Sequence, residues 1–297
     1  MIFINYYDEI KNELVNNEIT KKVKDYSKNR SDLTTYYNVG KLLSEAGKHY
    51  GEGIIKEYSK RLTNEFGTKF GITLLKRIRQ FYIVIEKGAT MSHQLSWSHY
   101  CELLPVNSID KINYYIKITK EQNLSIRELR TKIKNNEYER LDESTKEKLK
   151  EKEKLKLPDL VKNPIQIKNT SGNNEISEKV LQKLILEDIP SFLDELGNGF
   201  TFVRNEYKIK IGDRYNYIDL LLFNYEFNCF VAVELKVSEL KKEHIGQIEF
   251  YMNYIDKNLK NINQNKTIGI IICKKENRYV IEYCSDDRIL AREYELI

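Results

Sequence analysis

The sequence predicts an α+β protein in two parts: an all-helical N-terminal domain over residues 1–157 and an α/β domain with one central mixed sheet over 175–297, joined by a linker at 158–174. Three observations predict it. The chain has 297 residues, more than the ~250 at which a single core usually stops growing. Apolar residues recur at helical spacing in the first half and in short β-type runs after residue 198. Charge divides at the same place, with 30 Lys+Arg against 22 Asp+Glu in residues 1–157 and 19 against 22 in the remainder.

Taken in order, helices are expected where Ile54, Ile55, Tyr58 and Leu62 recur, and again at Leu74, Leu75, Ile78, Phe81, Tyr82 and Ile85, with glycines such as Gly67, Gly71 and Gly88 marking the ends. Ser125 with Glu128 three residues on is a capping box opening SIRELRTKI. The stretch DESTKEKLKEKEKLKLPDL predicts a solvated helix that stops at Pro158, and the Pro164 and NTSGNN region predicts the linker. Beyond it, residues 176–196 form an amphipathic helix interrupted near Pro190 and ended by Gly197. FTFVRNEYKIKI, YNYIDLLLFN and CFVAVELKV are three β-type runs with short turns at Gly212-Asp213 and near Glu226-Phe227. A helix over 242–256, a strand at TIGIIICKK and a last strand at RYVIEYC complete the sheet.

No apolar run approaches the ~18 residues of a membrane span, and MIFINYYDEI has neither a basic n-region nor a long apolar h-region. A cytoplasmic protein with no membrane partner is expected. Cys101, Cys229, Cys273 and Cys284 are too scattered for a zinc site and read as reduced thiols. The basic excess of the first half fits a polyanion partner, and solubility accounts for it equally well.

The chemistry lies in the C-terminal half. A turn centred on Glu226 and Phe227 sets Asp219 opposite Glu234, and strand alternation sends Lys236 to the same face as Glu234. Facing carboxylates repel, so the arrangement asks for a cation. A divalent metal, Mg²⁺ or Mn²⁺, fits that demand, with Asp219, Glu234 and the Leu235 carbonyl as ligands and Lys236 orienting an attacking water. Gln247 and Tyr251 are four apart on the following helix and share a face that reaches the same pocket. The D-x14-E-x-K spacing is weak alone, since about one chance match per chain of this length is expected. Its context, charges interrupting an apolar sheet, gives it weight against a solvated Glu–Lys pair on an edge strand.

The stretch from Gly199 to Asp256, with IDLLLF around Asp219, VELK at Glu234 to Lys236, and GQ followed by Tyr251, resembles the nuclease domain of the YhcG-like branch of the PDDEXK superfamily. FGITLLKRIRQFY, QLSWSH and SIRELRTKI resemble the helical domain that accompanies it. The resemblance implies a restriction-endonuclease-like α/β domain, a winged-helix-like N-terminal domain and a metal-dependent nuclease acting on nucleic acid, DNA by analogy, in genome defence. It adds Glu178 as a further metal ligand, and Arg77, Arg79 and His99 as nucleic-acid contacts beside Trp97 and Ser98. Trp97 and Phe81 are expected to be core. Where the pattern has glutamine this chain has Glu206, expected to face solvent. A catalytically silent binding protein on the same scaffold, an RNA-directed nuclease and a homodimer remain open alternatives.

Overall fold

The structure, a computed structural model, describes residues 6–23, 28–170, 172, 175–284 and 286–297. It divides into two units, Met1–Tyr138 and Glu139–Ile297.

In the first unit α1 (Tyr6–Val23), α2 (Lys28–Tyr50), α3 (Ile54–Phe66) and α4 (Ile72–Glu86) bury one apolar stripe each. Ile10, Leu43, Leu62, Leu75 and Ile78 are excluded from water in their common core. Short helices α5 (Trp97–Leu103), α6 (Ile109–Glu121) and α7 (Ile126–Lys134) follow. The expected capping box starts α7, with the Ser125 amide donating to Glu128 Oε2 at 2.7 Å. Among the described residues of this unit every element is helical, so the β-ribbon of a winged helix is not one of them.

The second unit begins earlier than expected. Helices α8 (Glu143–Glu151) and α9 (Leu157–Leu160) and strand β1 (Ile165–Ile167) belong to it. The segment 158–174 is therefore not an unpacked tether: Leu157, Val161, Ile165 and Ile167 sit in the core of this unit. The Arg292 guanidinium, itself buried, fastens the segment by donating to the Val161 carbonyl and to Asp142. The apolar residues flanking Pro158 and Pro164 carried that signal, and the prolines masked it. Ser171, Asn173 and Asn174, also expected in the linker, lie outside the described residues.

Strands β2 (Phe200–Ile211), β3 (Arg214–Asn224), β4 (Cys229–Glu239), β5 (Ile268–Lys275) and β6 (Ile289–Leu296) complete one six-stranded sheet of order β1-β6-β5-β4-β3-β2. Pairs β2–β3 and β3–β4 are antiparallel and the rest parallel, the mixed sheet expected. Helices α10 (Glu178–Glu187) and α11 (Ile189–Leu196) cover one face through Leu181, Leu184, Ile185 and Phe192. Helix α12 (Lys242–Asn258) covers the other through Ile248, Met252 and Ile255. It lies so close to β5 that a Cβ on Gly269 would meet Met252 Sδ at 2.6 Å. RYVIEYC is not a strand but the short helix α13 (Arg278–Glu282), whose amide at Val280 is capped by Asn277. Its Val280 and Ile281 pack against the core under α12, and β6 arises instead from ILAREYEL, whose buried Ile289, Leu290 and Ala291 pair with β5.

Among the described residues no helix is long and apolar enough to cross a membrane. All four cysteines are free.

Candidate active site

The β3–β4 hairpin has the register the turn implied, running from Asn224↔Cys229 to Leu220↔Val233. Asn224 fixes it: its buried Oδ1 accepts from the amides of Glu226 and Phe227, each at 3.0 Å, and closes the turn. Asn224 in turn needs Gly199 beside it, which has φ +83° and would carry a Cβ 2.9 Å from Asn224 Oδ1. The turn chemistry thus sets, several rungs away, which residues come to Asp219.

At Asp219 the sheet opens on both sides. The β2–β3 ladder passes from Asn205↔Leu220 to Tyr207↔Ile218 without a Glu206–Asp219 rung, and the β3–β4 ladder ends one residue short of Asp219. Glu206 sits there in a left-handed conformation, φ 45°, with its side chain exposed, the solvent-facing outcome expected for it. Two side chains stabilise the opening. Asp219 Oδ2 accepts from the Leu235 amide at 2.8 Å, and Gln182 Nε2 of α10 donates to the Asp219 carbonyl at 3.1 Å.

Into this opening project Asp219, Glu234 and Lys236. Glu234 is 2 % exposed, and its Oε1 accepts from Lys236 Nζ at 2.7 Å. Its Oε2 is buried with no hydrogen-bond partner, a state that costs of order 1–3 kcal/mol or more for a charged group. Burial and the neighbouring Asp219 carboxylate push the Glu234 carboxyl up to about 7, against the pull of Lys236. Burial also raises Asp219, opposed by the Leu235 amide and the Lys236 charge. For Lys236 burial works downward, but the Glu234 hydrogen bond and the charges of Glu234, Glu178 and Asp219 leave its ammonium raised. Glu178, half-exposed at the start of α10, stands 3.9 Å from Lys236 Nζ.

Helix α12, on the sheet face that Glu234 shares with Ala232, presents Gln247 and Tyr251, joined by a Gln247 Nε2 to Tyr251 Oη bond of 3.0 Å. Burial raises the Tyr251 phenol, and the charges of Glu234 and Asp219 add to the rise. Sequence reasoning missed two residues here. Gln182 follows Glu178 by one helical turn, and His244 precedes Gln247 by three residues, so extending each helix face would have found both. Burial and the Lys236 charge hold His244 below the usual histidine range.

Among the described residues no three His, Cys, Asp or Glu side chains are grouped closely enough to hold a metal ion by themselves. The donor set is a pair of hard carboxylates, one with a bare oxygen, and it fits Mg²⁺, which commonly takes one or two carboxylates and completes its shell with water and substrate phosphate.

The N-terminal candidates have different fates. His99 is a structural cap: its Nδ1 accepts from the Ser96 amide at 3.1 Å and its Nε2 faces the Leu124 carbonyl at 3.1 Å, so both ring nitrogens are spent within the unit. Arg79 forms a two-pronged pair with Glu52, with Nη2 to Oε1 at 2.7 Å. Arg77 is exposed on the same helix, α4. Trp97 packs between Tyr36 and Phe81, as expected of a core residue.

Residues 158–297 match the family model of the YhcG PDDEXK nuclease domain, and residues 9–140 that of the DUF1016 N-terminal domain. A relative named "Putative nuclease YhcG", from Escherichia coli (strain K12), is 26% identical over 95% of this chain and 88% of its own length. Among solved structures, a repair endonuclease from Pyrococcus abyssi and an EndoMS–dsDNA complex are each 18% identical and cover 43% of this chain. They cover 50% and 49% of those chains with TM-scores of 0.30 and 0.32, too low for either likeness to carry weight. The two matched domains and the full-length relative account together for nearly the whole chain, which belongs to the YhcG-like PDDEXK nuclease family.

Proposed function

We propose that the chain is a Mg²⁺- or Mn²⁺-dependent nuclease that hydrolyses phosphodiester bonds of DNA, with Asp219, Glu234 and Lys236 as its catalytic set. The observation that carries this reading is the bare, buried Glu234 Oε2 beside Asp219, a cost to the fold that a bound cation would remove. Asp219, Glu234 and the Leu235 carbonyl would be the ligands, while Glu178, the further ligand expected from the family likeness, stands at Lys236 and is not grouped with the two acids. When bound, the metal supplies positive charge at the phosphoryl oxygens as the bond breaks.

The protein does the rest. The Leu235 amide orients Asp219, and Gln182 holds the opened strand in place. The Lys236 ammonium, raised and therefore charged at neutral pH, orients the attacking water and stabilises the charge developing on the phosphate. Gln247 and Tyr251 present a paired amide and phenol to the substrate strand. The helical first unit engages nucleic acid or a protein partner, with exposed Arg77 as its phosphate contact. Family likeness favours DNA over RNA, in the processing of foreign or branched molecules.

Incubation of the purified chain with plasmid, single-stranded and branched DNA and Mg²⁺ or Mn²⁺ tests this reading. Cleavage is expected, and is expected to vanish with Asp219→Ala and with Lys236→Ala. Cleavage undiminished in either variant removes the assignment, and preferential cleavage of matched RNA redirects it.

A further inference from the structure

Strands β2 and β3 extend well past the active site as a two-stranded arm whose two faces differ sharply. One face carries Ile209 and Ile218, both 0 % exposed, with Tyr207 packed against the same core. The register Lys208↔Tyr217 and Lys210↔Tyr215 puts two lysines and two tyrosines on the other. That face is open: Tyr215 and Tyr217 are 52 % and 49 % exposed, and both lysines are exposed. Lys208 Nζ lies 3.8 Å from the centre of the Tyr215 ring. Among the described residues neither Lys208 nor Lys210 has a carboxylate within ion-pair distance. At the tip, Asp213 and Arg214 offset one another, and Glu206 stands at the active-site end.

Exposed aromatic rings beside unpaired cations match the demands of one kind of ligand, an anionic strand with flat apolar bases. The spacing narrows the choice. Tyr215 and Tyr217 are alternate residues of one strand, so their side chains stand about 7 Å apart. Stacked bases rise only ~3.4 Å, so adjacent tyrosines can take neighbouring bases only from a strand that is unpaired and extended.

Resting on the nuclease reading above, we propose that the open face of the β2–β3 arm binds an unpaired, extended stretch of the nucleic-acid strand carrying the bond to be cut. Bases stack on Tyr215 and Tyr217, and Lys208 and Lys210 contact the phosphates. The arm makes the enzyme selective for single-stranded segments, flaps or opened duplex beside the site.

The test is fluorescence anisotropy with the full chain in EDTA, where no cut is made, using labelled oligo(dT) and a blunt duplex. Tyr215→Ala with Tyr217→Ala is expected to weaken oligo(dT) binding about tenfold or more and to leave duplex binding nearly unchanged. The double Tyr→Phe variant, which keeps the rings, is expected to bind as the wild type does. Lys208→Ala with Lys210→Ala is expected to lower the slope of log affinity against log salt by about 1.4. Absence of oligo(dT) binding by the wild type, unchanged affinity in the double alanine variant, or an equal loss on the duplex overturns the proposal. So does a shift in sedimentation with nucleic-acid affinity intact, which would make the face a protein-docking surface. Failure of the catalytic reading looks different: the oligonucleotide binds as described, but Mg²⁺ produces no cleavage.

Discussion

The two units handle their carboxylates differently. In the helical unit Glu52 and Glu102 each meet an arginine that the fold itself supplies, although Arg79 Nε is buried without a partner. Arg79 meets Glu52, Arg130 meets Glu102 at 2.7 Å, and both nitrogens of His99 are used within a helix cap. In the sheet of the second unit, Glu234 is buried with one oxygen unsatisfied, beside a second carboxylate whose charge raises it further. A charge with a local partner explains its own presence. A buried carboxylate oxygen left short of one, beside a second carboxylate, is what a bound cation would satisfy.

The largest effect that sharpens this contrast is catalytic. Removing either carboxylate or the lysine (Asp219→Ala, Glu234→Ala, Lys236→Ala) is expected to cut kcat by about 10³-fold or more. Thermal melts beside the cleavage assay check that the fold survives. Comparable losses for Arg79→Ala would erase the distinction between the units.

Next comes the pH dependence of stability in metal-free protein. The folded Glu234 carboxyl is raised to about 7 from 4.5, so its protonated form is the one the fold prefers. Its contribution is fully present below the ordinary carboxylate pKa and is lost as pH rises through 7. Glu234→Gln, which mimics the protonated form, is therefore expected to match the wild type near pH 4.5. Above pH 7 it should be the more stable, by about 3 kcal/mol at most. Denaturant melts in EDTA across that range measure the gap, and a constant difference at all pH values contradicts it.

Packing gives the third effect. Gly269→Ala places a methyl against Met252 and Ile248 and lifts α12 from β5, an overpacking that costs about 1–3 kcal/mol. Because α12 carries Gln247 and Tyr251, activity should fall as well, which equilibrium unfolding and kinetics read separately. Smaller still is Gln182→Ala, which leaves the carboxylates untouched and frees only the Asp219 carbonyl. An activity loss of about tenfold is expected, the scale of a residue that supports a metal ligand. The smallest is Arg79→Ala in the first unit, which removes a pair with the exposed Glu52 and is expected to leave cleavage unchanged and to shift a thermal melt least of these variants.

The sheet was legible because its information is local. Turn position fixed the register, and alternation then put Asp219, Glu234 and Lys236 together. What escaped needed tertiary context. The strand-like run RYVIEYC became a helix because β6 pairs with β5 through Ile289 to Glu293, leaving no edge for it. The expected linker holds a short helix and a strand because its sparse apolar residues find a core built from elements far along the chain. Glu178 was supplied by the family likeness, and the structure brings it near Lys236 through the start of α10. The opening of the sheet at Asp219, with the Glu206 rung missing, left no mark in the sequence because skipped pairing has no residue signature of its own.

Whether Asp219 and Glu234 hold one divalent cation together, as proposed above, is decided by calorimetric titration with Mn²⁺ at pH 6 and pH 8. A single site is expected, tightening as pH rises through about 7, because Glu234 must give up its proton. Asp219→Asn and Glu234→Gln should each abolish it. Mn²⁺ binding that persists in both variants, or that is absent from the wild type at pH 8, contradicts the account.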